Sequence, residues 1–316
     1  MSGPPPGAGS RPTRAGVVAV VGAPNAGKST LTNRLVGEKV SIVTHKVQTT
    51  RFPVRGLALV EAEESRAQLI LVDTPGIFGS RERLTDAMVE SAWEGVKGAD
   101  AILHVMDAHA LIAGRARTVA DTERVVAGLE ARGGGALLAL NKIDGVEVER
   151  LLPLVAEMSE RGVYDEVFLV SALKGDGVED LAQALAARVP EGAFLYPEDQ
   201  AADVPMRVMA AEITREKLFL RLHEELPYNL TVETESWEEF RDGSVKISQV
   251  VYVTRGGHKG IVLGKGGETI KAVNRAARAE MGDWLGRRVH LFLFVKVREG
   301  WKGDRARYEA MGLSFS

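Results

Sequence analysis

The amino-acid sequence predicts an α/β domain with a doubly wound, mostly parallel sheet, followed by a smaller α+β domain. In the first half of the chain, short continuous apolar runs alternate with helical patterns, which is typical of strands buried on both faces of a parallel sheet. Past residue 205 the order becomes helix, strand, strand, helix and strand, which is not a further βαβ series. A length of 316 residues is suited to two domains.

Five apolar runs, each ending in turn or polar residues, predict the parallel strands of the first domain. They are residues 17–23, 68–74, 101–107, 136–142 and 166–172. Residues 54–60 lead through the polar stretch EAEESR into the second run, so we expect an antiparallel hairpin at the sheet edge. The stretch 85–97 places its apolar residues on one helical face. In such a domain, ligands bind beyond the carboxyl ends of the strands.

A Pro/Gly-rich N-terminus and a later passage bracketed by prolines set the predicted domain limits. We expect a disordered N-terminal tail over residues 1–14, the first domain over 15–190, a linker over 191–204 and the second domain over 205–316. The predicted elements of the second domain are a helix at about 206–226, strands at about 228–240 and 245–254, a helix at 268–281 and a strand at 288–298.

Composition and charge narrow the possible partners. The chain has no cysteine, which excludes disulfides, thiolate metal sites and a cysteine nucleophile and is compatible with a reducing cytoplasm. No apolar run is long enough to span a bilayer, and the N-terminus lacks the apolar centre of a secretory signal. The net charge is −3, yet residues 243–309 carry a net charge of +8, which indicates either an anionic partner or a solvated charged face.

The segment VGAPNAGKST, residues 21–30, has the full phosphate-loop pattern Gly22-x-x-x-x-Gly27-Lys28-Ser29. It follows a predicted strand and opens a helix, where backbone N–H groups and the helix N-terminus attract phosphate. Lys28 can reach the β- and γ-phosphates, and the Ser29 hydroxyl can ligate Mg²⁺. The residues expected around the nucleotide phosphates are Gly22, Asn25, Ala26, Gly27, Lys28, Ser29 and Thr30.

Polar groups at the ends of later strands predict that the nucleotide is GTP. Asp73 can hold Mg²⁺, and the Gly76 N–H can sense a γ-phosphate. Asp144 in the NKID segment can accept two hydrogen bonds from the N1–H and N2–H₂ groups of guanine, a donor pair that adenine lacks. The other residues expected at the base are Asn141, Lys142, whose stem can pack on the base face, and the pair Ser171 and Ala172.

Two threonines precede the predicted edge hairpin in the segment TTR, residues 49–51. A threonine there can close on Mg²⁺ when the γ-phosphate is present, which gives an order–disorder switch. Both Thr49 and Thr50 are expected near the nucleotide, and we favour Thr50 for the metal. The predicted metal ligands are therefore Ser29, Thr50 and Asp73.

The catalytic group is left open by the sequence. Ile77 follows DTPG at the position where Ras-like switches place the glutamine that orients the attacking water, and isoleucine cannot do so. We expect slow intrinsic hydrolysis, assisted by backbone groups, a metal ion or a partner. The candidate catalytic groups are Lys28, Thr50 and Asn25. Asn25 is either a ligand for a monovalent cation such as K⁺ or simply a turn residue.

A second glycine-rich loop, IVLGKGGETI at residues 261–270, cannot be another phosphate loop. Gly266 stands where the hydroxyl for Mg²⁺ would be needed. The loop Gly264–Gly267 between two predicted helices instead resembles the clamp of KH domains, which lets a bare backbone approach unpaired nucleotides. The alternative is a loop that only caps two helices. The cations around it are Lys259, Lys265, Lys271, Arg275 and Arg278, and the apolar residues that could line a groove are Ile261, Val262 and Ile270.

The segments GAPNAGKST, QTTR, DTPG, NKID, SALKGDG and GHKGIVLGKGGETIKAVNRAAR together resemble the Era family of bacterial GTPases over about residues 15–300. The resemblance implies a P-loop GTPase domain followed by a type II KH domain of αββααβ order. It also implies a cytoplasmic factor in 30S ribosomal subunit assembly that binds the single-stranded 3′ end of 16S ribosomal RNA, with peripheral association at the inner membrane. One departure is Gly266, where family members often carry lysine.

Two other classes of protein are compatible with parts of this pattern. A signalling GTPase could use the basic region for a protein partner or an anionic lipid at the membrane. An ATP-dependent kinase is disfavoured by the NKID segment. The glycine clamp favours RNA over the partners of a signalling GTPase, because neither membranes nor protein partners require it. We expect a monomer.

Overall fold

The computed structural model describes residues 11–46, 49–62, 64–79, 83–301 and 305, and it contains two sheets. The elements of the first part are β1 (Thr13–Val21), α1 (Lys28–Val36), β2 (Val54–Glu61), β3 (Arg66–Asp73), α2 (Arg83–Lys97), β4 (Ala101–Asp107), α3 (Ala108–Ile112), α4 (Ala116–Glu130), β5 (Ala136–Asn141), α5 (Val148–Glu160), β6 (Tyr164–Val170) and α6 (Val178–Arg188). Those of the second part are α7 (Met206–Arg221), β7 (Leu230–Glu239), β8 (Val245–Val253), α8 (Gly256–Leu263), α9 (Glu268–Leu285) and β9 (Val289–Val297).

The first sheet has the strand order β2-β3-β1-β4-β5-β6. Only β2 is antiparallel to its neighbour, which confirms the predicted edge hairpin. Successive side chains of β1 enter opposite cores, Val18 and Val20 packing towards α1 and α6, and Ala19 and Val21 towards α2, α4 and α5. Because both faces are buried, the strands are continuously apolar, and the doubly wound α/β fold is confirmed.

The N-terminal boundary differs from the expectation. Residues 13 and 14 were assigned to a disordered tail, but β1 begins at Thr13, and Thr13 and Arg14 pair with Arg66 and Ala67 of β3. The β3 backbone offers a free edge at this point, so the strand extends beyond its apolar part. Residues 1–10 of the expected tail lie outside the described residues, as do residues 302–304 and 306–316 of the expected second domain.

The segment expected as a linker follows the edge of the first domain. The amide of Gly192 donates to the carbonyl of Thr13 at 2.9 Å, and the amide of Leu57 donates to the carbonyl of Ala201 at 2.8 Å. Gln68 of β3 accepts from the backbone amide of Tyr196 at 3.0 Å. The backbone groups of a flexible linker would bond to water, whereas several of those in this segment are hydrogen-bonded to β1, β2 and β3.

The second sheet contains β7, β8 and β9, with β7 antiparallel and β9 parallel to β8. The order α7-β7-β8-α8-α9-β9 is the αββααβ arrangement, and α7 and α9 pack together over the sheet. The first helix ends at Arg221 rather than near 226, because the backbone is already extended at Leu222, and Pro227 lies in a separate short 3₁₀ turn, Leu226–Asn229. In the part of the chain that the structure describes, no helix is long and apolar enough to cross a membrane.

Candidate functional site

A cavity of about 580 Å³ lies at the carboxyl end of the first sheet. This is the edge at which a doubly wound domain binds its ligands. The cavity contains most of the residues that the sequence places around a nucleotide. Those lining it are Asn25, Gly27, Lys28, Ser29, Thr30, Thr49, Thr50, Gly76 and Lys142.

The phosphate loop joins β1 to the first turn of α1. Gly27 has φ +99°, and a Cβ atom built on it would lie 2.1 Å from Nδ2 of Asn141. Only glycine therefore fits both the backbone angle and the close neighbour. Among the described residues no side chain caps this helix, so its first N–H groups are available to an anion.

Lys28 is buried at the base of the loop. Its Nζ donates to the carbonyls of Gly22 and Ala23, both at 3.0 Å. Burial lowers the pKa of Lys28 to about 8, and the nearby Asp73 carboxylate opposes part of that effect. A buried ammonium held only by carbonyls is poised to gain from a phosphate, whose negative charge would favour the protonated form.

Ser29, Thr50 and Asp73 converge on one point. The Ser29 hydroxyl donates to Oδ2 of Asp73 at 2.6 Å and lies 3.0 Å from Oγ1 of Thr50, which is 3.4 Å from the same carboxylate oxygen. Burial raises the pKa of Asp73, and its other oxygen, Oδ1, is buried without a hydrogen-bond partner among the described residues. A set of hydroxyl and carboxylate oxygens with one unused carboxylate lone pair fits Mg²⁺. Thr49 does not join this group, since its hydroxyl bonds Thr44 and Lys46 instead.

Ile77 is in the hydrophobic core, with 2% of its surface exposed, and its amide donates to the carbonyl of Gly22 at 3.1 Å. The side chain at this position therefore points away from the cavity. Asn25 is exposed on the loop with φ +62° and lines the cavity. The Ile77 side chain therefore cannot orient the water that attacks the γ-phosphate, and any side chain that does so must belong to another residue.

The base-recognition residues form a connected set at the ends of β5 and β6. Asn141 is buried, donates to the carbonyl of Ala26 at 2.8 Å and accepts from the amide of Ala172 at 3.0 Å. It thus ties the phosphate loop to the loop after β6. Asp144 is exposed and accepts a hydrogen bond from the Ser171 hydroxyl at 2.7 Å through one carboxylate oxygen.

Asp107, Arg115 and Arg117 are among the cavity residues that the sequence reasoning missed. Asp107 ends β4, accepts from the amide of Ala110 at 2.9 Å and pairs with Nζ of Lys142 at 2.6 Å. Lys142 also donates to the carbonyl of Asn25 at 2.6 Å, so its stem is fixed against the phosphate loop. Arg115 and Arg117 also line the cavity. The signal for Asp107 was its place at the end of an apolar run, whereas nothing in the local sequence singles out the two arginines.

The segment between α1 and β2 lies against α7 of the second domain. Nζ of Lys39 is 2.8 Å from Oε2 of Glu216, and the amide of Val43 donates to Oε1 of the same side chain at 2.9 Å. Glu216 is 3% exposed. Burial alone would raise its pKa, but hydrogen bonds from Lys217, Lys39 and the Val43 amide outweigh burial and lower it. The segment that leads to the predicted switch at residues 49–51 is thus bonded to the second domain.

The second glycine loop has the geometry of a bare backbone turn. Gly264 ends α8 with φ +75°, and Gly266 and Gly267 have φ +61° and +78° before α9 begins. Nζ of Lys271 donates to the carbonyl of Gly266 at 3.1 Å. The five predicted cations are all exposed around this loop: Lys259, Lys265, Lys271, Arg275 and Arg278.

The apolar residues beside the loop divide between surface and core. Ile261 is 58% exposed and Ile270 is half-buried. Val262 was expected to line a groove, and this was wrong, because it is fully buried in the core of the second domain. Adjacent positions in a helix point about 100° apart, so Ile261 and Val262 cannot share a face.

Comparisons with known proteins match both parts of the chain. Residues 17–142 match the family model described as 50S ribosome-binding GTPase, and residues 225–302 match that of the KH domain. The GTPase Era of Caulobacter vibrioides is 53% identical over 311 residues, covering 96% of this chain and 97% of that protein. The GTPase Era of Dinoroseobacter shibae is 55% identical over 311 residues, covering 96% of each.

Two solved structures are similar over both domains. A variant of Aquifex aeolicus Era bound to GDP.AlF4- has a TM-score of 0.86 and 35% identity, covering 95% of this chain and 99% of that one. Era in complex with MgGDPNP and nucleotides 1506–1542 of 16S ribosomal RNA has a TM-score of 0.86 and 34% identity, with the same coverage.

Proposed function

The chain belongs to the Era family of GTPases and hydrolyses GTP, and from that premise we propose that it is a switch that binds the 3′ end of 16S ribosomal RNA and assists 30S subunit assembly. GTP with Mg²⁺ would occupy the cavity of the first domain, and single-stranded RNA would bind the glycine loop of the KH domain. The observation that carries the proposal is that the oxygen cluster of Ser29, Thr50 and Asp73 includes a residue from the segment docked on α7.

In this proposal each element of the nucleotide site has one task. Lys28 and the N–H groups of the phosphate loop bind the phosphates, while Ser29, Thr50 and Asp73 hold Mg²⁺. Mg²⁺ would neutralise charge that develops on the γ-phosphate oxygens during hydrolysis. Asp144, backed by Ser171, recognises guanine. Asn141 keeps the phosphate and base loops in register through its two hydrogen bonds.

The RNA surface is proposed on Lys259, Ile261, Lys265, Lys271 and Arg275, with the backbone of Gly264, Gly266 and Gly267 between them. The exposed cations attract phosphate groups, and the glycines let the backbone approach the strand closely. The relative whose complex contains nucleotides 1506–1542 of 16S ribosomal RNA supports the choice of RNA segment. Gly266 leaves Lys265 as the cation inside the clamp.

We also propose that K⁺ assists hydrolysis at Asn25. The exposed side chain on a left-handed residue of the phosphate loop can offer an oxygen beside the phosphates, where a monovalent cation would replace an arginine finger. Turnover measured in KCl should exceed turnover in NaCl at equal ionic strength by at least about tenfold. Asn25→Ala should remove the difference while GDP binding is retained. Equal turnover of the wild-type protein in both salts would contradict this role.

We place the protein in the cytoplasm as a monomer, with peripheral association at the inner membrane. A signalling GTPase that uses the same basic surface on lipid or protein is the second candidate, favoured by the net charge of +8 over residues 243–309. The two proposals differ in what the glycine loop recognises, since a charged surface needs no bare backbone.

Binding of a labelled single strand with the sequence of the 16S RNA 3′ end, compared with a duplex of equal charge, tests the proposed function. We expect the protein to prefer the single strand, and Lys265→Ala with Lys271→Ala to weaken that binding. Arg241→Ala, an exposed change in the turn between β7 and β8, is the control and should have no comparable effect. Equal binding of strand and duplex would favour the generic basic surface and contradict the RNA clamp.

A further inference from the structure

Three consecutive residues, Thr49 to Arg51, connect the metal site to the second domain. The Thr50 hydroxyl lies 3.0 Å from Oγ of Ser29 and 3.4 Å from Oδ2 of Asp73. On either side of it, the Thr49 carbonyl and the Arg51 side chain contact the second domain instead. Thr50 is therefore flanked by two anchors that do not belong to the nucleotide site.

The Arg51 guanidinium is inserted into the second domain, with 2% of the residue exposed. Nη1 donates to the carbonyl of Leu230 at 2.8 Å, and Nη2 donates to the carbonyl of Pro227 at 3.3 Å. The guanidinium carbon lies 5.7 Å from the ring centroids of both Phe219 and Trp301, within the range of cation–π attraction. Withdrawing Arg51 would break both hydrogen bonds in a buried place and is strongly disfavoured.

Trp301 extends the same contact to the helix that follows the DTPG segment. It is 1% exposed and packs with Leu84, Ala87 and Met88 of α2. Its indole N–H donates to the carbonyl of Asn229 at 3.4 Å. Trp301, which contacts Arg51, therefore also contacts α2, the helix that follows Asp73 and Gly76 in the chain.

Arg215 of α7 provides the other anchor. Its Nη2 donates to the Thr49 carbonyl, while its Nε donates to Glu212 at 2.7 Å. The guanidinium also lies 5.0 Å from the Phe219 ring centroid, so Arg51 and Arg215 contact the same ring. Because the Cα atoms of adjacent residues are only about 3.8 Å apart, fixing Thr49 and Arg51 confines Thr50.

We propose that Arg51 is a positioning residue that, together with Arg215, holds Thr50 at the metal site, so that docking of the KH domain favours Mg²⁺–GTP over GDP. The inference rests on the proposed function, in which Thr50 would be a ligand of the Mg²⁺ bound with GTP. GDP gains little from a placed Thr50, whereas the triphosphate complex needs it. Linkage makes the effect reciprocal. If docking of the KH domain strengthens GTP binding by a given factor, then GTP must favour the docked state by the same factor.

The ratio of affinities for a non-hydrolysable GTP analogue and for GDP, measured with Mg²⁺ on the full chain, tests this role. Arg51→Gln should lower that ratio by about tenfold, within the usual range of coupling between sites, and affect GDP binding far less. Arg215→Gln, which leaves Arg51 in place, should shift the ratio in the same direction. The control is Arg55→Gln, an exposed arginine that is 3.5 Å from Asp203 and should leave the ratio unchanged.

A double substitution distinguishes positioning from general support of the fold. If Arg51 acts through Thr50, then Arg51→Gln should have little further effect on the ratio in a Thr50→Ala background. Two results would overturn the proposal. One is that the two changes act independently on the ratio; the other is that Arg51→Gln lowers the affinities for GTP analogue and GDP equally, or not at all, so that the ratio is unchanged. If thermal unfolding shows that Arg51→Gln does not fold, the ratio in Arg215→Gln decides, and an unchanged ratio there would overturn the proposal.

The same proteins separate this proposal from the proposed function. Failure of the wild-type protein to prefer single-stranded RNA, with the ratio lowered in Arg51→Gln, would overturn RNA recognition and support Arg51. An unchanged ratio in a protein that binds the single strand would overturn only the role of Arg51.

Discussion

Replacing Asp144 with asparagine is expected to change the nucleotide preference from guanine to xanthine. The Asp144 carboxylate accepts a hydrogen bond from the Ser171 hydroxyl through one oxygen, and in the proposed site it would accept from the two N–H groups of the guanine edge. Asparagine replaces an acceptor with an NH₂ donor, which would face the guanine NH₂ group. Two lost charge-assisted hydrogen bonds, at about 1.5–3 kcal/mol each, correspond to a loss of about 10²- to 10⁴-fold in GDP affinity.

Xanthine carries an oxygen in place of the guanine NH₂, so the asparagine amide can donate to it. Competition of GDP and xanthosine diphosphate for the variant measures the change directly. Asp180→Asn, an exposed position in the first turn of α6, is the matched control and should keep the guanine preference. Retention of tight GDP binding by Asp144→Asn would show that the base is recognised elsewhere.

Replacing Gly264 with alanine is expected to weaken RNA binding while leaving the nucleotide site intact. A Cβ atom at Gly264 would lie 2.2 Å from Oγ1 of Thr269 and 2.9 Å from its backbone nitrogen, at a residue with φ +75°. The loop must change its backbone path to relieve a local strain of about 1–3 kcal/mol. Since RNA contacts in the proposed clamp depend on that path, affinity for the single strand should fall by at least about tenfold.

Gly260→Ala provides the matched control for this change. A Cβ there meets no heavy atom within 4 Å, and the position lies inside α8, where alanine is favoured over glycine. We expect Gly260→Ala to bind RNA like the wild-type protein and Gly264→Ala to bind GTP like the wild-type protein. Unaltered RNA binding by Gly264→Ala would place the RNA on another surface.

The nucleotide site could be predicted from the sequence because its chemistry is local. Gly27, Lys28 and Ser29 are adjacent in the chain, and Asp73 and Asp144 each follow an apolar strand. Parallel strands bring their carboxyl ends to one edge, so separate segments meet without any knowledge of the tertiary structure. The sequence favours Thr50 over Thr49 for the metal, and in the structure Thr50 is the one that joins Ser29 and Asp73.

The contacts between the domains could not be predicted in this way. In the sequence Arg51 is an arginine beside two threonines, and the carbonyl that it binds in Leu230 is 179 residues further along. Trp301 gives no local sign that it packs on α2. Contacts between residues so far apart in the sequence depend on how the two folded domains pack against each other. Neither periodicity nor motif spacing contains that information. The same holds for the 191–204 segment, whose sequence between Pro190 and Pro205 gives no sign of its hydrogen bonds to β1, β2 and β3.

The central claim is that nucleotide state and RNA binding are coupled, and one measurement tests it most directly. It is the affinity of the full chain for the labelled single strand in its Mg²⁺–GTP-analogue and GDP complexes. We predict affinities that differ by at least about fivefold between the two states, with RNA changing the relative affinity for the two nucleotides by the same factor. Equal RNA affinity in both states would contradict the account.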